Sequence, residues 1–229
     1  MRIFGLQKLT LLDYPGKLAC TVFLGGCNMR CPFCHNGSLV LTSGEGIMDS
    51  DELLAFLDSR RGRLQGVCVS GGEPTLHSNL PEFLAEIKAR GFSVKLDTNG
   101  TNPEMLYRLI ADGLVDYVAM DIKNSQEKYL LTAGINAKQV LDSVTQSASL
   151  LMQGRVDFEF RTTLTSELHT HEDMESIGRW LSGDERFFLQ TYRDEGDLIV
   201  GGFTAFTKEE TASLLSTLKK YIPNAEIRG

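Results

Sequence analysis

GGCNMRCPFCHNG, residues 25–37, holds three of the five cysteines of the chain. They are Cys27, Cys31 and Cys34, and their spacing is C-x3-C-x2-C. A structural zinc ion normally takes four ligands, often as two C-x2-4-C pairs, and a cubane iron–sulfur cluster ordinarily takes four cysteines. Three thiols from one short loop would leave one iron of such a cluster free to bind another group. A zinc knuckle, or a loop without metal, is the alternative that the spacing leaves open.

The residues around this loop do not offer an obvious fourth ligand. His35 follows the third cysteine directly and could complete a zinc site only through an awkward turn. The other two cysteines, Cys20 and Cys68, lie in predicted strands, where a small buried thiol is the simpler interpretation. Gly25 and Gly26 come just before the first cysteine of the loop, and we expect them to let the backbone approach a cluster without Cβ clashes.

The composition is that of a globular protein. The chain has 229 residues, of which 42% are hydrophobic and 23% charged. Its net charge of −7 argues against a nucleic-acid footprint or a general affinity for anionic membranes. No apolar run approaches the roughly 18 residues of a membrane span, and the first residues lack the features of a signal peptide. We therefore expect a cytoplasmic protein, in which clustered thiols stay reduced and bind metal or act in catalysis.

Short apolar runs alternate with longer stretches of helical spacing. Several runs are almost continuously apolar, which is typical of strands buried on both faces of a parallel sheet. Ser50 is expected to cap the first long helix, and Gly91 to end the second. The predicted strands are 18–24, 66–70, 93–97, 117–123, 157–163 and 186–192. The predicted helices are 50–60, 80–90, 103–113, 137–152, 172–181 and 208–221.

This strand–helix order repeats about six times and predicts a parallel sheet with right-handed crossovers. A closed eightfold barrel typically takes about 250 residues, so a partial, open (β/α)6 barrel fits the length better. A doubly wound open sheet is the alternative fold. No linker or low-complexity segment interrupts the pattern, and we expect a single domain over residues 1–229.

Polar and glycine-rich residues follow the predicted strands at their carboxyl ends. The six sequences are VFLGGC, VSGGEP, LDTNG, MDIK, FRTT and LQTY. In both candidate folds, ligands bind at the carboxyl edge of the sheet. Six successive strand ends therefore indicate one site, and this regularity is stronger evidence than any single motif.

The cysteine loop resembles that of the radical S-adenosylmethionine (SAM) superfamily. Members of that superfamily have a C-x3-C-x2-C loop after the first strand, with an aromatic residue before the third cysteine, which is Phe33 in this chain. The resemblance implies that Cys27, Cys31 and Cys34 hold a 4Fe–4S cluster. It also implies that the amino and carboxylate groups of SAM chelate the fourth iron.

The segment SGGEP, at the second strand end, resembles the GGE motif of the same superfamily. The resemblance implies that Gly71, Gly72 and Glu73 bind the SAM amino group, mainly through backbone atoms. Glycine is expected at this point because a side chain would block the approach of the ligand. An ordinary turn at a strand end is the alternative for this segment taken alone.

LDTNG and MDIK resemble segments of glycyl-radical-enzyme activases, such as pyruvate formate-lyase activating enzyme. The resemblance implies that Asp97 and Asp121 face the methionine and ribose of SAM and can help to hold a monovalent cation, and that Thr98 belongs to the same cofactor-binding segment. It implies that Lys123 pairs with the SAM carboxylate. The alternatives are an Asx turn at Asp97 and a solvated strand end at Lys123.

Over residues 3–165 the chain resembles most the activating proteins of anaerobic ribonucleoside-triphosphate reductase. Related activases place a histidine after the last strand, where this chain has Arg193. Arg193, and Arg161 at the fifth strand end, are therefore candidate contacts of SAM, with a salt bridge on the barrel rim as the alternative for Arg161. His169 and His171, at the start of a later helix, are expected to face solvent.

The resemblance implies a radical oxidoreductase that acts on another enzyme. A flavodoxin- or ferredoxin-type donor would reduce the cluster, SAM would split into methionine and a 5′-deoxyadenosyl radical, and the radical would take a hydrogen atom from a glycine of the partner. Anaerobic ribonucleoside-triphosphate reductase is the favoured partner, and no nucleic acid or membrane partner is expected. The alternatives are another glycyl radical enzyme such as pyruvate formate-lyase, or a small-molecule or peptide substrate. A zinc-stabilised binding module is the non-enzymatic alternative.

Overall fold

Six parallel strands in the computed structural model coincide with the six predicted from the sequence; the structure describes residues 1–42, 44–183, 186–194 and 197–228. Short strands that the apolar pattern did not predict precede, separate and follow them. In chain order the strands are β1 (Arg2–Ile3), β2 (Gly5–Thr10), β3 (Ala19–Leu24), β4 (Met48–Asp49), β5 (Gly66–Gly71), β6 (Ser93–Thr98), β7 (Tyr117–Asp121), β8 (Asp157–Leu164), β9 (Phe187–Thr191) and β10 (Glu226–Arg228).

The main sheet has eight strands in the spatial order β10-β9-β8-β7-β6-β5-β3-β2. Its neighbouring strands are parallel except for β2 and β3, which are antiparallel. Across the parallel part the chain always advances in one direction, so right-handed crossovers place the connecting helices on one side of the sheet. A doubly wound sheet instead reverses its strand order and has helices on both faces. The predicted partial barrel is therefore confirmed.

The six predicted helices lie close to their predicted positions, the first two as α2 (Ser50–Asp58) and α3 (Leu80–Ala89), whereas two short helices, α1 (Gly37–Leu41) and α5 (Tyr129–Ala133), were not predicted. Asp49, not Ser50, caps α2, because its side chain accepts hydrogen bonds from the N–H groups of Asp51 and Glu52 and completes a capping box. Gly91 follows α3 with φ of +86°, as expected for a helix end. The helices are α1 (Gly37–Leu41), α2 (Ser50–Asp58), α3 (Leu80–Ala89), α4 (Pro103–Ala111), α5 (Tyr129–Ala133), α6 (Gln139–Leu151), α7 (His171–Trp180) and α8 (Lys208–Leu218).

The two faces of the sheet differ in chemistry. Val94, Val118 and Leu109 are fully buried in the apolar core that includes the strands and helices. Side chains alternate along a strand, so the neighbours of these valines point to the inner face. That face carries buried charged residues, among them Lys95 and Glu159. The fold therefore encloses a polar interior that leads to the carboxyl edge of the strands.

Within the described part of the chain, no helix has both the length and the apolar character needed to cross a membrane.

Candidate functional site

A cavity of about 250 Å³ opens at the carboxyl edge of the sheet. The strand ends and the cysteine loop contribute its walls, as the clustering of polar residues at strand ends predicted. The predicted site residues that line it are Cys27, Cys31, Phe33, Cys34, Gly71, Gly72, Asp97, Thr98, Asp121, Lys123 and Arg161. Other lining residues, not predicted, include His35, Asn36, Ser70, Asn99, Thr163 and Gln190.

The cysteine loop is held to the barrel on the side of α5. The backbone N–H of Arg30 donates to the carbonyl of Ala133 at 2.9 Å, and the N–H of Cys34 donates to the carbonyl of Cys31 at 3.1 Å.

Burial raises the pKa of Cys31 to about 11, and the ammonium of Lys123 acts in the opposite direction. Deprotonation of Cys31 is therefore linked to metal binding, because the thiolate is the ligand.

The arrangement of the thiols fits a cluster better than a single ion. Among the described residues, no three histidine, cysteine or carboxylate side chains come close enough together to hold one metal ion. Cys27, Cys31 and Cys34 are all among the residues that line the cavity. A mononuclear zinc site needs its sulfur ligands about 2.3 Å from one centre, whereas a cubane holds each thiolate on a separate iron. The donor set and the space therefore fit a 4Fe–4S cluster.

The two glycines of GGE are required by contacts between backbones. Gly71 has φ of +122°, and a Cβ there would overlap the carbonyl of Leu24. A Cβ on Gly72 would overlap the carbonyl of Gly26. The two loops are also joined by a hydrogen bond of 2.8 Å from the N–H of Glu73 to the carbonyl of Gly26. The sequence predicted that glycines occur in GGE because they leave room for a ligand. The structure adds a second reason, since Gly71 and Gly72 allow the GGE loop to pack against the cysteine loop.

The side chain of Glu73 is fully buried and lies outside the cavity lining. Its Oε1 accepts hydrogen bonds from the N–H and hydroxyl of Thr75 and from the hydroxyl of Thr98, and its Oε2 accepts from the N–H of Asn99 at 2.6 Å. Burial raises the pKa of Glu73, and the four donors oppose that effect. Glu73 therefore joins the GGE and DTNG loops, and only its backbone is placed near the cysteine loop.

A network of charges lies at the floor of the cavity. Arg161 contacts both aspartates, with Nη2 2.9 Å from Asp121 Oδ1 and Nη1 3.5 Å from Asp97 Oδ2. Lys123 Nζ is 2.9 Å from Asp121 Oδ2. Burial alone would raise the pKa of Asp121, but Arg161 and Lys123 outweigh it and hold that pKa well below its usual range. The two carboxylates are therefore ionised and fixed in direction.

Lys95 belongs to this network and was not predicted as a site residue. Its side chain is 1% exposed, and its ammonium pairs with the carboxylate of Asp97, two residues later on β6. Burial would raise the pKa of Asp97, whereas Arg161 and Lys95 lower it below the ordinary value. A lysine inside an otherwise apolar strand, SVKLD, is the sequence signal that could have identified it.

The expectation that His169 faces solvent is wrong. The ring is 2% exposed. Its Nδ1 accepts from the N–H of Thr165 at 3.2 Å, so the hydrogen lies on Nε2, which donates to the carbonyl of Lys123 at 3.0 Å. Burial lowers the pKa of His169 and keeps the ring neutral. His169 thus fixes the backbone at Lys123, and it packs edge-on against Phe33 at 6.5 Å between ring centroids.

Arg193, a candidate contact of SAM, does not line the cavity. The side chain is exposed, and the carbonyl of Arg193 accepts a hydrogen bond of 2.6 Å from Nε2 of His35. His35 also stacks on Tyr192 at 5.4 Å between ring centroids. Gln190 lines the cavity at this strand end, and the lining residue held against Arg193 there is His35, from the cysteine loop. It was considered only as a zinc ligand because its contacts lie more than 150 residues away in sequence.

Asn99 directs an amide hydrogen to a cysteine sulfur. Its Oδ1 accepts from the N–H and hydroxyl of Thr101, which fixes the orientation of the amide. Its Nδ2 then donates to Asn28 Oδ1 at 2.9 Å and to Cys27 Sγ at 3.8 Å. Hydrogen bonds to a ligand sulfur are one of the ways in which a protein sets the reduction potential of an iron–sulfur cluster.

Comparisons with known proteins agree with this geometry. A family model described as the radical SAM superfamily matches residues 21–151. A protein of Methanocaldococcus jannaschii, provisionally named a glycyl-radical enzyme activating enzyme, is 32% identical over 231 residues, which cover 99% of this chain and 95% of that protein. The pyruvate formate-lyase-activating enzyme of Listeria monocytogenes is 35% identical over 153 residues, which cover 59% of each chain.

Solved structures share the fold. SuiB of Streptococcus suis superposes with a TM-score of 0.70 and 14% identity, over 91% of this chain and 48% of that structure. The structure of anSMEcpe with bound AdoMet superposes with a TM-score of 0.63 and 20% identity, over 86% of this chain and 57% of that structure. The resemblance predicted from the cysteine loop and the later segments is confirmed, and the chain belongs to the radical SAM superfamily.

Proposed function

We propose that this chain, as a single radical SAM domain over residues 1–229, cleaves SAM reductively at a 4Fe–4S cluster and generates a glycyl radical on a partner enzyme. The observation that carries the proposal is the cavity in which three cysteines face a fixed set of carboxylates and cations. Full-length similarity to a protein named as a glycyl-radical enzyme activating enzyme supports it. We expect the protein in the cytoplasm.

The chain contributes binding and orientation to this reaction. Cys27, Cys31 and Cys34 would hold three irons, and the cluster, when bound, supplies the electron that splits the sulfonium of SAM. Lys123 offers a cation to the SAM carboxylate, and the carboxylates of Asp97 and Asp121 offer acceptors to its ammonium and hydroxyl groups.

The favoured partner is anaerobic ribonucleoside-triphosphate reductase, with a flavodoxin or ferredoxin as the electron donor. The support is the resemblance of segments such as VKLDTNGTNPE and VDYVAMDIK to the activating proteins of that reductase. Pyruvate formate-lyase is the second candidate partner. It is favoured by the 35% identity between this chain and a pyruvate formate-lyase-activating enzyme, over 153 residues that cover 59% of this chain.

An anaerobic assay tests the proposal. The reconstituted protein is reduced in the presence of SAM, and 5′-deoxyadenosine is measured together with the electron paramagnetic resonance spectrum, with and without each candidate partner. We expect 5′-deoxyadenosine and a glycyl doublet with the ribonucleotide reductase. Cleavage of SAM without a doublet in any partner would leave a radical enzyme that acts on a small molecule or peptide. Zinc in place of iron would support the binding module.

Replacing Lys123 by alanine is expected to weaken SAM binding roughly ten- to hundredfold, because a charge-assisted hydrogen bond contributes about 1.5–3 kcal/mol. The iron content should stay unchanged, since Lys123 is not a cluster ligand. Equilibrium dialysis with labelled SAM measures the affinity. The matched control is Lys128→Ala, which removes a lysine paired with Asp173 at 2.6 Å outside the cavity. Equal SAM affinities of the two variants would show that Lys123 is only a solvated strand end.

A further inference from the structure

The aspartates that were expected to help hold a monovalent cation already have a cationic partner at every carboxylate oxygen. Asp97 pairs with Lys95 through Oδ1, and its Oδ2 accepts from the Ser70 hydroxyl at 3.0 Å and lies 3.5 Å from Arg161 Nη1. Asp121 binds Arg161 through Oδ1 at 2.9 Å and Lys123 through Oδ2 at 2.9 Å. A further cation would have to displace one of these groups.

Lys95 is a member of this network to which the proposed function assigns no role. Its ammonium is buried beneath the cavity, and the only other group within hydrogen-bond distance among the described residues is Cys68, with Sγ 3.8 Å away. Burying an ammonium costs several kcal/mol unless a carboxylate compensates it. Because Lys95 and Asp97 are two residues apart on β6, both point to the interior, and the lysine holds the carboxylate from below.

The network holds more positive than negative charge without an added cation. Lys95, Lys123 and Arg161 contribute three positive charges, and Asp97 and Asp121 contribute two negative charges, which leaves +1. SAM itself, with one carboxylate, one ammonium and one sulfonium, is a net cation, so the site is not short of positive charge. A monovalent cation in the same place would raise the net charge of these groups to +2 before SAM binds. Buried charges are stable only when opposite charges compensate them.

We propose that Lys95 and Arg161 act in this chain as built-in cations, which hold Asp97 and Asp121 in place of a dissociable monovalent cation. Lys95 is thereby a positioning residue for SAM, and SAM binding does not depend on sodium or potassium. This inference rests on the proposed function, because it concerns how the same cavity binds SAM.

The first test measures SAM affinity of the reconstituted wild-type protein by equilibrium dialysis in potassium, sodium and tetramethylammonium chloride at one ionic strength. We expect dissociation constants within about twofold of one another, since the carboxylate oxygens of Asp97 and Asp121 already have cationic partners. A loss of about tenfold or more in tetramethylammonium would overturn the inference and leave the proposed function standing. No SAM binding in any of the three salts would overturn both.

The second test replaces Lys95 by methionine, which keeps the length and removes the charge. We expect SAM affinity to fall about tenfold or more, because Asp97 loses its fixed partner, while iron content is retained. The matched control is Lys88→Met, which removes a surface lysine paired with Asp116 at 2.6 Å. Wild-type affinity in Lys95→Met would exclude the positioning role. Should that variant not fold, the salt series on the wild-type protein still decides the inference.

Discussion

Replacing Cys31 by alanine is expected to abolish cluster binding and all cleavage of SAM. The cluster would keep only two protein ligands, and the thiol that is lost is the most buried of the three, at 6% exposure. Two thiolates are too few to hold a cubane cluster, which ordinarily takes four cysteines and is offered three by this loop. We expect the iron content to fall from about four per chain to near zero, and 5′-deoxyadenosine to be undetectable.

The chain offers a matched control for this change in Cys20→Ala. Cys20 is also buried, at 0% exposure, but it lies in β3 outside the cavity lining, and burial raises its pKa to about 12. Its replacement removes one small apolar side chain and should cost about 1 kcal/mol of stability while leaving iron and activity intact. Normal iron content in Cys31→Ala would refute the ligand assignment. Loss of iron in both variants would indicate a general failure of folding.

The parallel strands could be predicted because each carries its own signal. β5, β6 and β7 are short apolar runs that end in glycine or a polar residue, and the structure places their bounds within two residues of the prediction. The strand order followed from the repeated crossovers. β2 and β10 lacked such a signal, since most of their residues are exposed or half-buried and an edge strand needs no continuous apolar run.

The position of the site could also be predicted, because all parallel strands end at one edge. What could not be predicted is which groups form ion pairs and hydrogen bonds with one another there. Lys95 and His169 are both buried, although lysine and histidine in a sequence are ordinarily taken as exposed. Lys95 is compensated by Asp97, two residues along β6, and Asp97 is in turn held by Arg161, which only the fold brings near. The carbonyl of Lys123 accepts from His169 over 46 residues.

The same limit applies to Arg193, the candidate contact of SAM that does not line the cavity. Arg193 was a candidate because related activases place a histidine after the last strand, but the direction of a side chain after a strand end depends on the turn that follows. Here the carbonyl of Arg193 accepts a hydrogen bond from His35, and the side chain of His35 lines the cavity. Sequence order alone gives the edge at which a residue lies, not the direction of its side chain.

Replacing Glu73 by alanine is expected to destabilise the chain by about 3 kcal/mol or more. Thr75, Thr98 and Asn99 are all at most 5% exposed, and together they direct four donors at this carboxylate. Each buried donor left without an acceptor costs about 1–3 kcal/mol, and the costs are not fully additive. Glu73→Gln should cost less, about 1–3 kcal/mol, because its amide oxygen can still accept at one side.

Anaerobic urea unfolding measures these differences, and Glu82→Ala is the matched control. Glu82 lies on α3, with its side chain 66% exposed and 3.6 Å from Arg108, so its loss should change stability by no more than about 0.5 kcal/mol. SAM affinity should fall in the order wild type, Glu73→Gln, Glu73→Ala, because the carboxylate anchors the backbone of Asn99, which lines the cavity. A Glu73→Ala protein that unfolds at the same urea concentration as Glu82→Ala would show that the buried carboxylate does not hold the loops together. Wild-type SAM affinity in a clearly destabilised Glu73→Ala would separate the two roles and leave Glu73 as a stabilising residue alone.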